Sequence, residues 1–118
     1  MQIDSTSFGS ITIDGDTYEH DVIIKLDGSV KKRKKKLSKE VYGTSHMLSL
    51  AEAEFIYNKG CKVIIIGSGQ NGMLKLSKEA EAFFEKKGCS VVLETTPKAI
   101  KTFNKKKKGK IGLFHVTC

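Results

Sequence analysis

Between Ile11 and Lys36 apolar and polar residues alternate in short runs, interrupted by Asp14-Gly15 and Asp27-Gly28. Alternation has the two-residue period of a strand, and Asp-Gly supplies the positive φ that a type I′ hairpin turn needs at both central positions. ITID, TYEHDVIIKL and SVKKRKK therefore read as an antiparallel meander over about residues 7–36. In its middle strand Val22, Ile24 and Leu26 share one face while Asp21, Ile23 and Lys25 share the other, so one face is predicted buried.

After Ser45 the period lengthens. Ser49 and Glu52 form a Ser-x-x-Glu capping box ahead of LAEAEFIYNKG, a helix whose glycine, Gly60, stands where a left-handed cap belongs. CKVIII follows as a short apolar strand. Ser77 opens a second helix, KEAEAFFEKKG, and CSVVLE follows it in turn. FIYNKGCKVII and FFEKKGCSVVL superpose at a spacing of 28 residues, which predicts two helix-then-strand units in equivalent settings. Thr96-Pro97 begins a third helix, with proline at a position whose N–H is not needed, running to about Gly109 before the last strand, KIGLFHVT.

Apolar strands separated by helices imply parallel pairing with right-handed crossovers. The fold class is thus α/β: one three-layer domain over residues 1–118, the meander beside a small mostly parallel sheet formed within 49–118 and flanked by three helices. Strands 62–67, 90–95 and 111–116 should point one way. Open α/β sheets bind ligands at the carboxyl ends of their strands. Here that edge collects Gly67 to Gly72, Glu94 to Pro97, and His115 to Cys118.

Composition narrows the functional classes. With 118 residues the chain has room for one core and not for a separate cofactor domain. No apolar run approaches the length of a bilayer span and the N-terminus carries no export signal, so a cytoplasmic location and no membrane partner are expected. Three cysteines, with no Cys-x-x-Cys pair, are expected to be reduced thiols, Cys61 and Cys89 serving as small core residues. The net charge of +8 comes from two runs, KKRKKK at 31–36 and KKKKGK at 105–110; they hold eleven of 21 basic residues, and the remainder is net −3. Such runs are solvated turns and guarded sheet edges, or a nucleic-acid and polyanion surface if the fold brings them to one face.

IIIGSGQNG contains the spacing G-x-G-x-x-G at Gly67, Gly69 and Gly72, and Glu94 stands where a ribose-binding acid would. Yet the next helix is capped only at Ser77, so its amides do not open from the glycines as a pyrophosphate site requires. The glycines are expected to let the strand end, and no cofactor or metal is expected. Thr95-Thr96-Pro97-Lys98 offers hydroxyls at a helix N-terminus, either as a cap or for a small anion. His20 is expected at the surface. His46 and His115 are candidate acids or bases should the protein be an enzyme, and His115 with Cys118 could pair as base and nucleophile or hold a metal; otherwise both are structural.

Taken together, VYGTSHMLS, VIIIGSGQNGMLKLS, VVLETTPKAIKTFN and GLFHVTC resemble the adipogenesis-associated domain family of small α/β proteins, to which mitochondrial respiratory complex I assembly factors are similar. The resemblance runs from about Ser7 to Cys118. It implies a meander beside a small parallel sheet, no established enzymatic activity, and binding or assembly roles with an unknown protein partner or small anionic ligand, with a homodimer compatible. Gln70-Asn71-Gly72, Glu94 and the lysine runs depart from the family pattern, and the N-terminus shows no transit peptide like that of mitochondrial relatives. The positions it marks are His46, Gly67, Gly69, Thr95, Ala99, Asn104, His115 and Cys118. With Ser68 and Thr96 added, His46, Gly67, Ser68, Gly69, Thr95, Thr96, Asn104 and His115 form the candidate pocket.

Overall fold

The computed structural model describes residues 1–118. Strands β1 (Ile3–Ser7), β2 (Ser10–Ile13) and β3 (Asp16–Tyr18) form an antiparallel sheet of their own. The chain then changes sheets. β4 (Val22–Ile24) and β5 (Val30–Lys32) are the antiparallel edge of a five-stranded sheet ordered β5-β4-β10-β7-β9, in which β7 (Val63–Ser68), β9 (Ser90–Glu94) and β10 (Lys110–His115) run parallel.

The predicted meander is therefore divided between two sheets, and its middle strand departs from the expected one-faced burial. Flanked by β5 and β10, β4 is covered on both sides: Ile23 packs into one apolar cluster, Val22 and Ile24 into the other, and Leu26 is exposed. The same alternation sorts the parallel strands. Ile64, Ile66, Ile111 and Leu113 face α2 (Leu50–Ile56) and α3 (Lys78–Lys86), while Val63, Ile65, Phe114 and Val116 face α4 (Thr96–Lys105) and the N-terminal sheet. Three layers result.

A fourth helix, α1 (Lys36–Tyr42), grows from the end of the first lysine run and closes on Gly43 at φ 72°. Two short strands, β6 (Met47–Leu48) and β8 (Lys75–Leu76), pair in parallel beside it. Ser49 and Ser77 cap α2 and α3 as predicted, accepting from the amides of Glu52 and Ala80. However, α2 ends at Ile56 with Tyr57 as its cap, so Gly60 lies beyond the cap, and α4 ends well before Gly109.

Cys61 and Cys89 correct the expectation of free thiols. Parallel pairing of Val63 with Ser90 sets the two equivalent helix-to-strand turns side by side, and the cysteines, with Cα atoms 5.7 Å apart, are joined as a disulfide. Only Cys118 is free. No helix of the chain is long and apolar enough to cross a membrane.

Candidate functional site

The three carboxyl ends converge as the sequence predicts. Thr96, buried at the start of α4, ties them together: its hydroxyl donates to the His115 carbonyl at 2.6 Å and accepts from the Gly69 amide at 2.9 Å. Ser68 Oγ donates to the Glu94 carbonyl at 3.0 Å. The last residues thread between the glycine loop and the β1–β2 turn. Gly9 N donates to Val116 O at 2.8 Å, Gln70 N to Thr117 O at 2.7 Å, and Asn71 N to Cys118 O at 3.0 Å.

This packing decides between the alternatives for the glycines. A Cβ at Gly69 would overlap the Cys118 carbonyl carbon and approach His115 Cδ2 to 2.7 Å, and one at Gly67 would meet Thr96 Oγ1 at 2.8 Å. The space a pyrophosphate needs is occupied by the chain's own tail. The helix N-terminus is likewise closed: Thr96 N donates to Gly69 O, and Lys98 and Ala99 donate to Thr95 O, leaving no amide for an anion. Asn104 stands apart from the edge. Its side chain accepts from Ile3 N and donates to Ile3 O, both at 2.9 Å, docking β1 onto α4.

What the edge does hold is a buried ionic network. Arg33 is 4% exposed within the first lysine run. Its Nε donates to Glu52 Oε2 at 2.6 Å, Nη2 to Glu52 Oε1 at 3.0 Å and to the Ser45 carbonyl at 2.7 Å, and Nη1 to Asp21 Oδ2 at 3.0 Å. Asp21 also accepts from Val116 N at 2.9 Å and lies 2.8 Å from His115 Nδ1. Ser38 Oγ donates to Glu52. No buried side-chain polar atom of the protein lacks a partner.

Burial alone would push the Asp21 carboxyl up, but hydrogen bonds from His115 and Val116, the His115 charge and the Arg33 guanidinium bring it down to about 2. Burial would lower the Arg33 value, and Glu52 and Asp21 raise it instead. Asp21 is thus an ionised acceptor, so Nδ1 of His115 carries the proton. Nε2 faces Thr117 Oγ1 at 3.4 Å, and the His46 ring lies edge-on at 5.4 Å between centroids. Thr117, His115 and Asp21 form a hydroxyl–imidazole–carboxylate series, with its hydroxyl contact longer than a good hydrogen bond.

A polar hollow of about 270 Å³ opens against this network, lined by Gly9, His20, Asp21, Arg33, Lys35 and Thr117 among others. His20, expected at the surface, is half-buried and bonded through Nδ1 to the Asp21 carbonyl. Of the sequence-predicted residues, His46, Gly67, Ser68, Gly69, Thr95, Thr96 and His115 gather at this edge, and Asn104 does not. Sequence reasoning missed Asp21, Arg33, Ser38 and Glu52 as members of the site, and gave Thr117, within the predicted edge, no role.

Comparison with known proteins gives a consistent family. The family model described as protein of unknown function (DUF498/DUF598) matches residues 3–110. A conserved hypothetical protein from Pyrococcus horikoshii OT3 is 34% identical, with all of both chains covered and a TM-score of 0.93. A solved structure named MT938 is 32% identical over 99% of this chain and 98% of that one, at a TM-score of 0.83. A Mth938-like domain protein from Bordetella pertussis shares the fold at 11% identity, covering 98% of this chain and 85% of its own, with a TM-score of 0.70.

Proposed function

This chain belongs to the DUF498/DUF598 family of proteins of unknown function, and we propose that it acts as a small cytoplasmic binding or assembly-type protein that engages a protein partner through the carboxyl edge of its sheet. The observation that carries this is the polar hollow backed by the closed Asp21–Arg33–Glu52–His115 network, with exposed apolar residues on loops of the same edge. Phe8, 65% exposed, precedes Gly9 of the hollow's lining in the β1–β2 turn, and Met73, 50% exposed, follows the glycine loop, its amide donating to Cys118 O. At about 270 Å³ the hollow is smaller than an ordinary small-molecule site, whereas a polar patch with exposed aromatic and methionine residues on nearby loops suits a protein surface. His115 is 1% exposed with Nδ1 committed to Asp21, which favours orientation over proton transfer to a substrate.

A photo-reactive amino acid in place of Phe8 or Met73 tests this in cells. One recurrent protein adduct is expected from both positions, and none from the same amino acid at exposed Glu85 on α3. Equal labelling from Glu85, or no adduct from either loop position, would overturn the proposal. Turnover of any substrate that His115→Gln abolishes in a folded protein would favour the enzyme alternative.

A further inference from the structure

The opposite end of the sheet gathers lysines from both runs. β7 and β10 begin there, with Lys110 paired to Val63, and the antiparallel β4 ends there, with Ile24 opposite Gly112 and Val30. The β4–β5 turn thus meets the loop before β10. Two shallow hollows share Lys25, Leu26 and Asp27; one, of about 320 Å³, is bordered by Lys31, and the other, of about 250 Å³, by Lys107, Lys108 and Lys110.

Two of these lysines are fixed. Lys25 Nζ donates to the Phe55 and Ile56 carbonyls at the end of α2, both at 3.0 Å. Lys110 Nζ donates to the Phe103 carbonyl at 2.6 Å and lies 3.9 Å above the Phe103 ring. Around them Lys31, Lys62, Lys107 and Lys108 are exposed, the Lys62 stem lying against Gly109. Asp27 is the single acid lining either hollow. Burial and then Lys31 lower the proton affinity of Lys25, and burial and then Lys107 do the same for Lys110. Dispersed lysines would serve solubility equally well without this mutual repulsion.

We propose that this amino-terminal pole binds the phosphate backbone of nucleic acid without reading its sequence. The ligand must carry several closely spaced negative charges to match cations drawn from two distant runs, and a nucleic-acid backbone does. The surroundings do not favour base recognition: Phe103 is buried beneath Lys110, and half-buried Phe55 has Lys25 and Lys34 over its ring, the Lys34 Nζ 4.8 Å from the centroid. No fully exposed aromatic lines either hollow to stack on a base.

Fluorescence anisotropy with a labelled random-sequence DNA duplex tests this at the pole opposite the proposed partner surface, so the two proposals fail independently. Four phosphate contacts predict that log K falls with log salt at a slope of about −3.6. The variant Lys31→Glu/Lys107→Glu/Lys108→Glu, all at exposed positions, should bring the slope to about −1 and weaken binding at least ~30-fold at low salt. Lys75→Glu/Lys78→Glu/Lys86→Glu makes the same change in net charge elsewhere and should change binding less than ~3-fold. Equal losses in the two variants, a slope near zero, or binding to phosphatidylserine vesicles without binding to the duplex would each overturn the proposal.

Discussion

Asp21 and His115 are separated by 94 residues, yet Asp21 Oδ2 lies 2.8 Å from His115 Nδ1 and each side chain is 1% exposed. The contact exists because β4 runs antiparallel to β10, so the residue before β4 meets the last residue of β10. It joins the strand hairpin carrying Arg33 to the carboxyl edge. The ionic network is therefore part of the edge's architecture, and its failure should disturb both.

Arg33→Lys tests that role. Lysine keeps the charge but cannot reproduce a fork that bonds Glu52 twice, Asp21 and the Ser45 carbonyl at once. The variant should lose about 2–3 kcal/mol, and Arg33→Ala, which strands two buried carboxylates, about 3–5 kcal/mol. Urea unfolding measures both, and an Arg33→Lys protein as stable as the parent would refute the fork.

Acid should weaken the protein through Asp21. Its folded value, about 2, lies below the ordinary 3.8, so the ionised carboxylate stabilises the fold above about pH 3.8, and this contribution is lost as pH falls through about 2. The effect amounts to about 2 kcal/mol. Urea midpoints measured across that window should fall more steeply for the parent than for Asp21→Asn, whose amide does not titrate. Parallel curves would count against the assignment.

Much of this was legible in the residues. Short apolar runs between capped helices place the parallel strands, and the 28-residue repeat correctly sets Cys61 and Cys89 in equivalent positions. The ionic network was not, because Asp21 and Glu52 have adequate local explanations as a strand-face charge and a capping-box acid. Arg33 alone carried a signal: it is the only arginine in a chain otherwise furnished with lysine, and a planar five-donor group is what a buried carboxylate pair requires. Asn104 failed for another reason. Helical spacing cannot tell which sheet a side chain will reach, and it reaches β1.

The disulfide predicts a thiol count. Denatured without reductant, the protein should show one reactive thiol, from Cys118, and three after reduction. Closing the segment across a separation of 28 residues should stabilise the fold by about 3.5 kcal/mol, so reductant should lower the melting temperature. Three thiols before reduction would show that Cys61 and Cys89 are not joined.

Gly69 and Gly88 separate conformational freedom from close packing. Both have positive φ, 105° and 72°, so alanine at either position meets the left-handed penalty of about 1 kcal/mol. At Gly88 nothing lies within 4 Å of the added carbon, whereas at Gly69 it runs into the Cys118 backbone and the His115 ring. Gly69→Ala must therefore displace the C-terminal tail as well, and should cost at least ~2 kcal/mol more than Gly88→Ala. Amide exchange at Gln70, Asn71 and Met73, which donate to Thr117 and Cys118 carbonyls, should accelerate in the same variant. Equal destabilisation by the two alanines, with exchange at the loop unchanged, would mean that the tail does not fill this loop, and would reopen it as a ligand site.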